Sequence, residues 1–278
     1  MKINGHTEII AHIGYPTHSF KAPLIYNPYF ESAGINALVV PMGCTAEHYP
    51  DLLRSVFRLE NIRGALITMP HKVTTVGLLD EASVAVQVAG ACNAVRRDAQ
   101  GRLVGDMFDG EGFVRGVRRK GFEPAGRRAL VVGSGGVGSA IAASLAQAGV
   151  SALGLFDVNE ASAQGLGQRL QQHYPALEVR VGSNDPDGFE LVVNATPMGM
   201  SADDPLPMDV SRIAPGALVG EVVMRTEMTA FLTAARARGC TVQIGSDMLF
   251  EQIPAYLEFF GLPTTTPEVL RAVAQLGA

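Results

Sequence analysis

Lysine is scarce in this chain. Its 278 residues hold only Lys2, Lys21, Lys72 and Lys120, and most of the basic charge is carried by arginine. A lysine in an otherwise apolar stretch therefore stands out, and Lys72 is one. Cysteine is scarcer still: Cys44, Cys92 and Cys240 are scattered, odd in number and without metal-ligand spacing. That pattern excludes a disulfide framework and a zinc motif, and describes the reduced packing residues of a cytoplasmic protein. The six histidines show no ligand spacing either, so no metal is expected. No apolar run approaches the roughly 20 residues that span a bilayer, and the opening MKINGHTEII does not have the pattern of a secretory signal. An excess of positive charge is missing too. The net charge of -5 argues against nucleic acid or an anionic membrane as the main partner. There is no internal repeat and no low-complexity tract.

What the chain does have is 47% hydrophobic residues, enough for one large or two modest domains with proper cores. The stretch that organises it is 129–148, ALVVGSGGVGSAIAASLAQA. Four apolar residues read as a buried parallel strand, the run Gly133, Ser134, Gly135, Gly136, Val137, Gly138 as a turn, and Ile141, Leu145 and Ala148 as one face of a helix. Strand, glycine turn and helix in this order form the fingerprint of dinucleotide binding. Gly133 permits the tight turn, Gly135 lets backbone approach a pyrophosphate, and Gly138 lets the helix pack against the strand. The helix start offers free N–H groups and the positive end of its dipole to phosphate. The next strand, 152–156, ends in Asp157, where a carboxylate accepts from both ribose hydroxyls of NAD and repels the 2′-phosphate of NADP. NAD is the expected cofactor. Asp157 or Asn159 would also serve as N-cap of the helix expected over 160–173.

In the first half, strands at 8–13, 37–40 and 64–68 alternate with helices starting at Pro23 and over 47–59, an order that implies a parallel sheet flanked by helices. A short helix is expected after Lys72, and a hairpin joins 94–97 to 103–106. His71, beside the lysine, reads as a solvated loop residue. A helix over 110–120 leads into the nucleotide-binding half, where strands are expected at 178–181, 191–194, 218–223 and 241–244. The expected fold is α/β with two domains. Residues 1–109, completed by C-terminal helices in 247–278, form a substrate domain with a mostly parallel sheet, and 110–246 form a Rossmann-type NAD domain.

Six stretches then line up, in order, with one family. Residues 64–72 (GALITMPHK) resemble its G-x-N-V-T-x-P-x-K, 90–93 (GACN) its G-A-x-N, and 105–110 (GDMFDG) its G-x-N-T-D-G. Residues 193–199 (VNATPMG) resemble I-N-A-T-P-x-G, and 248–252 (MLFEQ) match M-L-x-x-Q; with the glycine turn these cover nearly the whole chain. The sequence resembles the shikimate/quinate dehydrogenase family. That resemblance implies NAD(P)-linked oxidation of a secondary alcohol, with Lys72 and Asp109 as the catalytic pair at the hydroxyl. A nearby carboxylate favours the lysine cation, ready to donate to a ketone, whereas oxidation requires a neutral lysine, which desolvation favours. The resemblance also implies that Thr68, Asn93 and Gln252 bind ring hydroxyls. The backbone of Asn194, Ala195, Thr196, Pro197 and Met198 would lie beside the nicotinamide.

The departures are as informative. The family's Ser-x-Ser-Pro, which grips the substrate carboxylate, becomes Phe20-Lys21-Ala22-Pro23, with Ser19, Lys21 and His18 as the remaining candidates to meet it. The asparagine of N-V-T is Leu66, the N-T of N-T-D is Met107-Phe108, and EVVMR at 221–225 replaces D-L-V-Y-x-P. NADP-dependent members carry Asn-Arg-Thr after the second strand, where this chain has Asp157-Val158-Asn159. The expectation is an NAD-dependent dehydrogenase acting on a cyclic polyol or hydroxy acid for which shikimate is not optimal, as a monomer or homodimer. The alternatives are an ordinary quinate or shikimate dehydrogenase, and an NAD-binding regulatory protein with a degenerate pocket. Retention of both Lys72 and Asp109 speaks against the regulatory protein. A larger tRNA-linked reductase of the same fold is disfavoured by length.

Overall fold

Short aliphatic runs punctuated by glycine and proline build two six-stranded sheets, one in each of two units. The computed structural model describes residues 2–276. The first unit runs to Val86, resumes over Gly90–Phe108 and again from Ile253; the second comprises Gln87–Ala89 and Asp109–Gln252.

The first sheet contains β1 (Glu8–Gly14), β2 (Ala37–Gly43), β3 (Ile62–Ile67), β4 (Glu81–Ala82), β5 (Ala94–Arg97) and β6 (Leu103–Asp106) in the order β2-β1-β3-β5-β6-β4. β1 lies parallel to β2 and β3, and β4 parallel to β6, but the β5–β6 hairpin enters antiparallel beside β3, so the sheet is mixed. Between the strands come α1 (Pro23–Ala33), α2 (Tyr49–Val56), the single turn α3 (Lys72–Val76) and α4 (Val84–Ala89).

The second sheet is wholly parallel. It contains β7 (Arg128–Val132), β8 (Ala152–Phe156), β9 (Glu178–Val181), β10 (Leu191–Asn194), β11 (Leu218–Glu221) and β12 (Thr241–Gln243), in the order β12-β11-β10-β7-β8-β9. Its helices are α5 (Asp109–Arg119), α6 (Gly136–Gln147), α7 (Glu160–His173) and α8 (Ala230–Ala237). α9 (Gly245–Phe259) closes the second unit at Gln252 and continues into the first, which also holds α10 (Pro267–Val273). Alternation along β7 serves two cores. Val131 joins Ile141, Leu145 and Leu166 on one face, while Leu130 and Val132 join Phe231 and Leu232 on the other. Chain order reverses between β7 and β10, the switch point at which open α/β sheets bind ligands.

Local rules explain the helix ends. Pro23 opens α1, where a missing amide costs nothing, and Gly34 closes it in the left-handed region at φ 67°. Pro28 inside α1 cannot bond the Leu24 carbonyl, and the Gln275 amide does so instead at 2.8 Å. The buried face of α1 is Ile25, Tyr26, Tyr29 and Phe30, with Leu24 on the exposed side.

Two glycines contrast in what surrounds them. A Cβ at Gly110 would fall on the Ala140 carbonyl, where α5 meets α6, whereas a Cβ at Gly135 has nothing within 4 Å. The Gly135 backbone, at φ -72°, suits any residue. Gly110→Ala is expected to cost about 1–3 kcal/mol of stability, and Gly135→Ala less than about 0.5 kcal/mol, as measured by urea unfolding.

Candidate active site

In the first unit the candidate residues gather where β1 and β3 end. The strands stay joined past their ends: the Thr68 amide donates to Ile13 at 3.0 Å and the Tyr15 amide to Met69 at 2.9 Å. Thr68 is half-buried on this rim, and Lys72 is the first residue of α3 just beyond it. The loop 90–93 is tied to the same place. The Cys92 amide donates to the Lys72 carbonyl at 2.9 Å, and the Asn93 carbonyl accepts from Ile67 at 2.8 Å. Asn93 is buried, and its Oδ1 accepts from the Phe108 amide at 2.9 Å, which fixes the residue before Asp109.

The segment that replaces Ser-x-Ser folds differently from a carboxylate grip. Phe20 stacks on His12 with ring centroids 4.1 Å apart and 29° between planes. Its ring also packs against Gly14, as a Cβ there would lie 2.9 Å from it. Ser19 is exposed and its hydroxyl donates back to Pro16 at 3.4 Å; Lys21 is exposed. His12 is a polar residue set among the apolar residues Ile9, Ile10, Ala11 and Ile13, a signal present in the sequence. Burial, and after it the positive charge of Lys72, lowers its pKa to about 4.

His71 differs from its expected solvated state. It is fully buried, stacked on Tyr49 at 4.0 Å and nearly parallel, with Nε2 at 2.9 Å from the Cys44 carbonyl. Tyr49 lies 22 residues away in sequence, so no local pattern reveals the pair. That contact requires Nε2 to carry the proton, and burial holds the ring neutral by lowering its pKa.

In the second unit Asp109 is buried in the first turn of α5, where the helix dipole favours a carboxylate. Gln252 is half-buried in α9, and its Oε1 is a buried acceptor without a hydrogen-bond partner. Gly133 turns the chain at φ 104° and packs on the Ala195–Thr196 backbone. α6 starts at Gly136 without a side-chain cap, so its first amides carry no side-chain acceptor. Ser134 Oγ is likewise buried and unpartnered. Asp157 binds the glycine turn directly, accepting from the Ser134 amide at 2.6 Å and from the Asn159 amide at 2.8 Å. The N-cap position of α7 is Asn159, whose side chain makes no capping bond.

The turn after β10 is folded by its own side chains. Asn194 is fully buried; its Oδ1 accepts from Thr196 N and Oγ at 3.1 and 2.6 Å, and its Nδ2 donates to Met198 at 2.9 Å. Backbone of Ala195, Pro197 and Met198 is thereby presented at the sheet edge. Beside it Glu221 ends β11, fully buried. A cavity of about 240 Å³ adjoins this turn, lined by Met198, Gly199, Asp204, Leu206, Thr229 and Phe231 among others. Among the described residues, no group of three or more His, Cys, Asp or Glu side chains is arranged to hold a metal ion.

A wholly parallel doubly wound sheet with a glycine turn at its switch point defines a Rossmann-type nicotinamide dinucleotide-binding unit. The comparisons with known proteins carry this further. A model of the shikimate dehydrogenase substrate-binding domain matches residues 12–95. A shikimate dehydrogenase (NADP(+)) of Rubrobacter xylanophilus is 34% identical over 99% of both chains. Quinate dehydrogenase from Corynebacterium glutamicum in complex with NAD is 29% identical, covers 95% of this chain and 98% of its own, and superposes with a TM-score of 0.84. Shikimate 5-dehydrogenase from Listeria monocytogenes in complex with shikimate and NAD shares the fold at a TM-score of 0.91, with 23% identity over 98% of both chains. The chain belongs to the shikimate dehydrogenase family of NAD(P)-dependent oxidoreductases.

The His12 environment makes a measurable demand on folding. A histidine whose pKa falls from 6.5 to about 4 on folding stabilises the native state while neutral, fully so above the unfolded value, and loses that contribution as pH falls through about 4. The window is worth on the order of 3 kcal/mol. Urea unfolding of His12→Phe should show a shallower loss of stability than the native sequence between about pH 6.5 and pH 4.

Proposed function

We propose that this chain is an NAD-linked dehydrogenase that interconverts a secondary alcohol and its ketone on a cyclic polyol or hydroxy acid other than shikimate. The observation that carries it is Asp157, docked onto the glycine turn at the end of β8 by the Ser134 and Asn159 amides. A carboxylate held there accepts from the adenosine ribose hydroxyls and repels a 2′-phosphate, and no arginine stands in the loop to reverse that preference. Gly133, Ser134, Gly135, Gly136, Val137 and Gly138 would hold the pyrophosphate through backbone amides and the α6 dipole. The backbone of 194–198 would flank the nicotinamide. The residues fit the group. When bound, it supplies or takes up the hydride.

The remaining chemistry belongs to the protein. Lys72 takes the hydroxyl proton in oxidation and returns it in reduction, and Asp109 is the carboxylate that the family resemblance assigns to the same reaction. Asn93 serves by fixing Phe108, next to Asp109. Thr68 and Gln252 offer hydrogen bonds to substrate hydroxyls, the lone Oε1 of Gln252 being an acceptor of the required kind.

Substrate choice follows from Phe20. The Phe20 ring offers no hydroxyl donor to a carboxylate where the family's serines would, and a carboxylate buried without donors costs several kcal/mol. The substrate therefore lacks shikimate's carboxylate at that position, or presents it to Lys21. The second reading, an NADP-linked shikimate dehydrogenase, is favoured by the full-length similarity to the Rubrobacter xylanophilus enzyme.

Steady-state assays on a panel of cyclic alcohols, including shikimate and quinate, with NAD and NADP in parallel, separate the two. Shikimate should give a kcat/KM below about 10⁴ M⁻¹s⁻¹; a higher value sinks the substrate argument. NAD should be preferred, and Asp157→Ala should narrow the preference; equal or better use of NADP removes the role given to Asp157. Lys72→Ala is expected to lower turnover on the true substrate by about 10²–10⁴-fold with NAD affinity unchanged, and near-normal turnover would exclude it as the acid–base group.

A further inference from the structure

Glu221 is the last residue of β11 and stands in register beside Asn194, the last residue of β10. Its side chain is fully buried. Thr229 donates its hydroxyl to Glu221 Oε2 at 2.9 Å, and the same hydroxyl oxygen accepts from the Leu232 amide as the N-cap of α8. Asn194 bears on the carboxyl from the other side while folding Thr196 and Met198 into the turn. Gly199, where that turn ends, packs on Thr229: a Cβ there would lie 3.3 Å from its methyl. One carboxyl thus joins the two loops that leave neighbouring parallel strands, at the edge where such sheets bind ligands.

We propose that Glu221 is a positioning residue for the nicotinamide cofactor, setting the spacing between the turn 194–199 and the loop that leads into α8. The proposal rests on the cofactor reading above. The groups that face Glu221 are neutral: Asn194 from β10 and Thr229 from the start of α8. No cation contributes to its titration, and Oε1 is buried without a partner. An anion so placed is poorly solvated, so the protonated carboxyl is the form this geometry accommodates. Burial accordingly pushes its pKa up to about 7, against the smaller opposing effects of Thr229 and Asn194. Ionisation favours water entry beside Oε1 and loosens the link between the loops. A raised carboxyl pKa means that the positioned form is complete well below neutral pH and is lost as pH rises through about 7.

The test is the dissociation constant of NADH, read from the fluorescence of the bound nucleotide, from about pH 6 to pH 8.5, with NADPH in parallel. If only the protonated form binds, affinity falls about tenfold between pH 6 and pH 8. Glu221→Gln, neutral and of the same shape, should hold the low-pH affinity across the whole range. A flat profile in the unaltered protein overturns the proposal whether or not the variant folds, and so does a slope that survives Glu221→Gln. Failure to bind either nucleotide at any pH overturns the cofactor reading and the proposal with it. Binding with a profile independent of Glu221 overturns the proposal alone.

Discussion

Backbone hydrogen bonds that continue past the ends of the parallel strands are the constraint on which the candidate site depends. Thr68 to Ile13 and Tyr15 to Met69 extend the first sheet; Gly133 to Phe156, Ala195 to Val132 and Val222 to Asn194 extend the second. Each bond keeps two loops at strand spacing for another residue or two. Side chains emerging from those loops inherit positions from the sheet rather than from the loop's own flexibility. Asp157 and the turn 194–199 begin within a residue of such a bond, Lys72 follows three residues after Met69, and the Asn93 carbonyl accepts from Ile67 at the end of β3.

The features legible in the sequence were those whose cause is local. Gly133 needs φ 104°, Gly34 needs φ 67°, and the hairpin 94–106 needs its turn, so glycine placement and apolar periodicity located the long helices and every strand but the two-residue β4 to within a few residues. What the sequence hid is non-local. The burial of His71 depends on Tyr49 from α2, and the antiparallel entry of β5 depends on pairing with β3. Asn93 carries a second role that no local pattern announces, its Oδ1 anchoring the Phe108 amide. Glu221 ends an apolar strand, and the sequence alone does not say whether that end is solvated.

Several buried titratable groups in this molecule are kept neutral, while buried Glu251 is paired with Arg119. His12 and His71 are pushed down, Cys92 up to about 12 and Glu221 up to about 7, in each case chiefly by desolvation. Burial without a counter-charge is the least costly arrangement when the group can give up or keep its proton. His12 loses its contribution as pH falls from 6.5 to about 4 and Glu221 as pH rises from 4.5 to about 7, so the two windows overlap and largely offset each other.

The turn 194–199 carries one further consequence. Its shape is dictated by Asn194, Thr196 and the glycine at φ 100°, while the side chains of Ala195, Pro197 and Met198 take no part in those bonds. Recognition through such a loop is separable from its construction. Drift in its outward side chains can retune what the edge accepts without rebuilding the edge, because little ordering entropy remains to be lost when a ligand arrives.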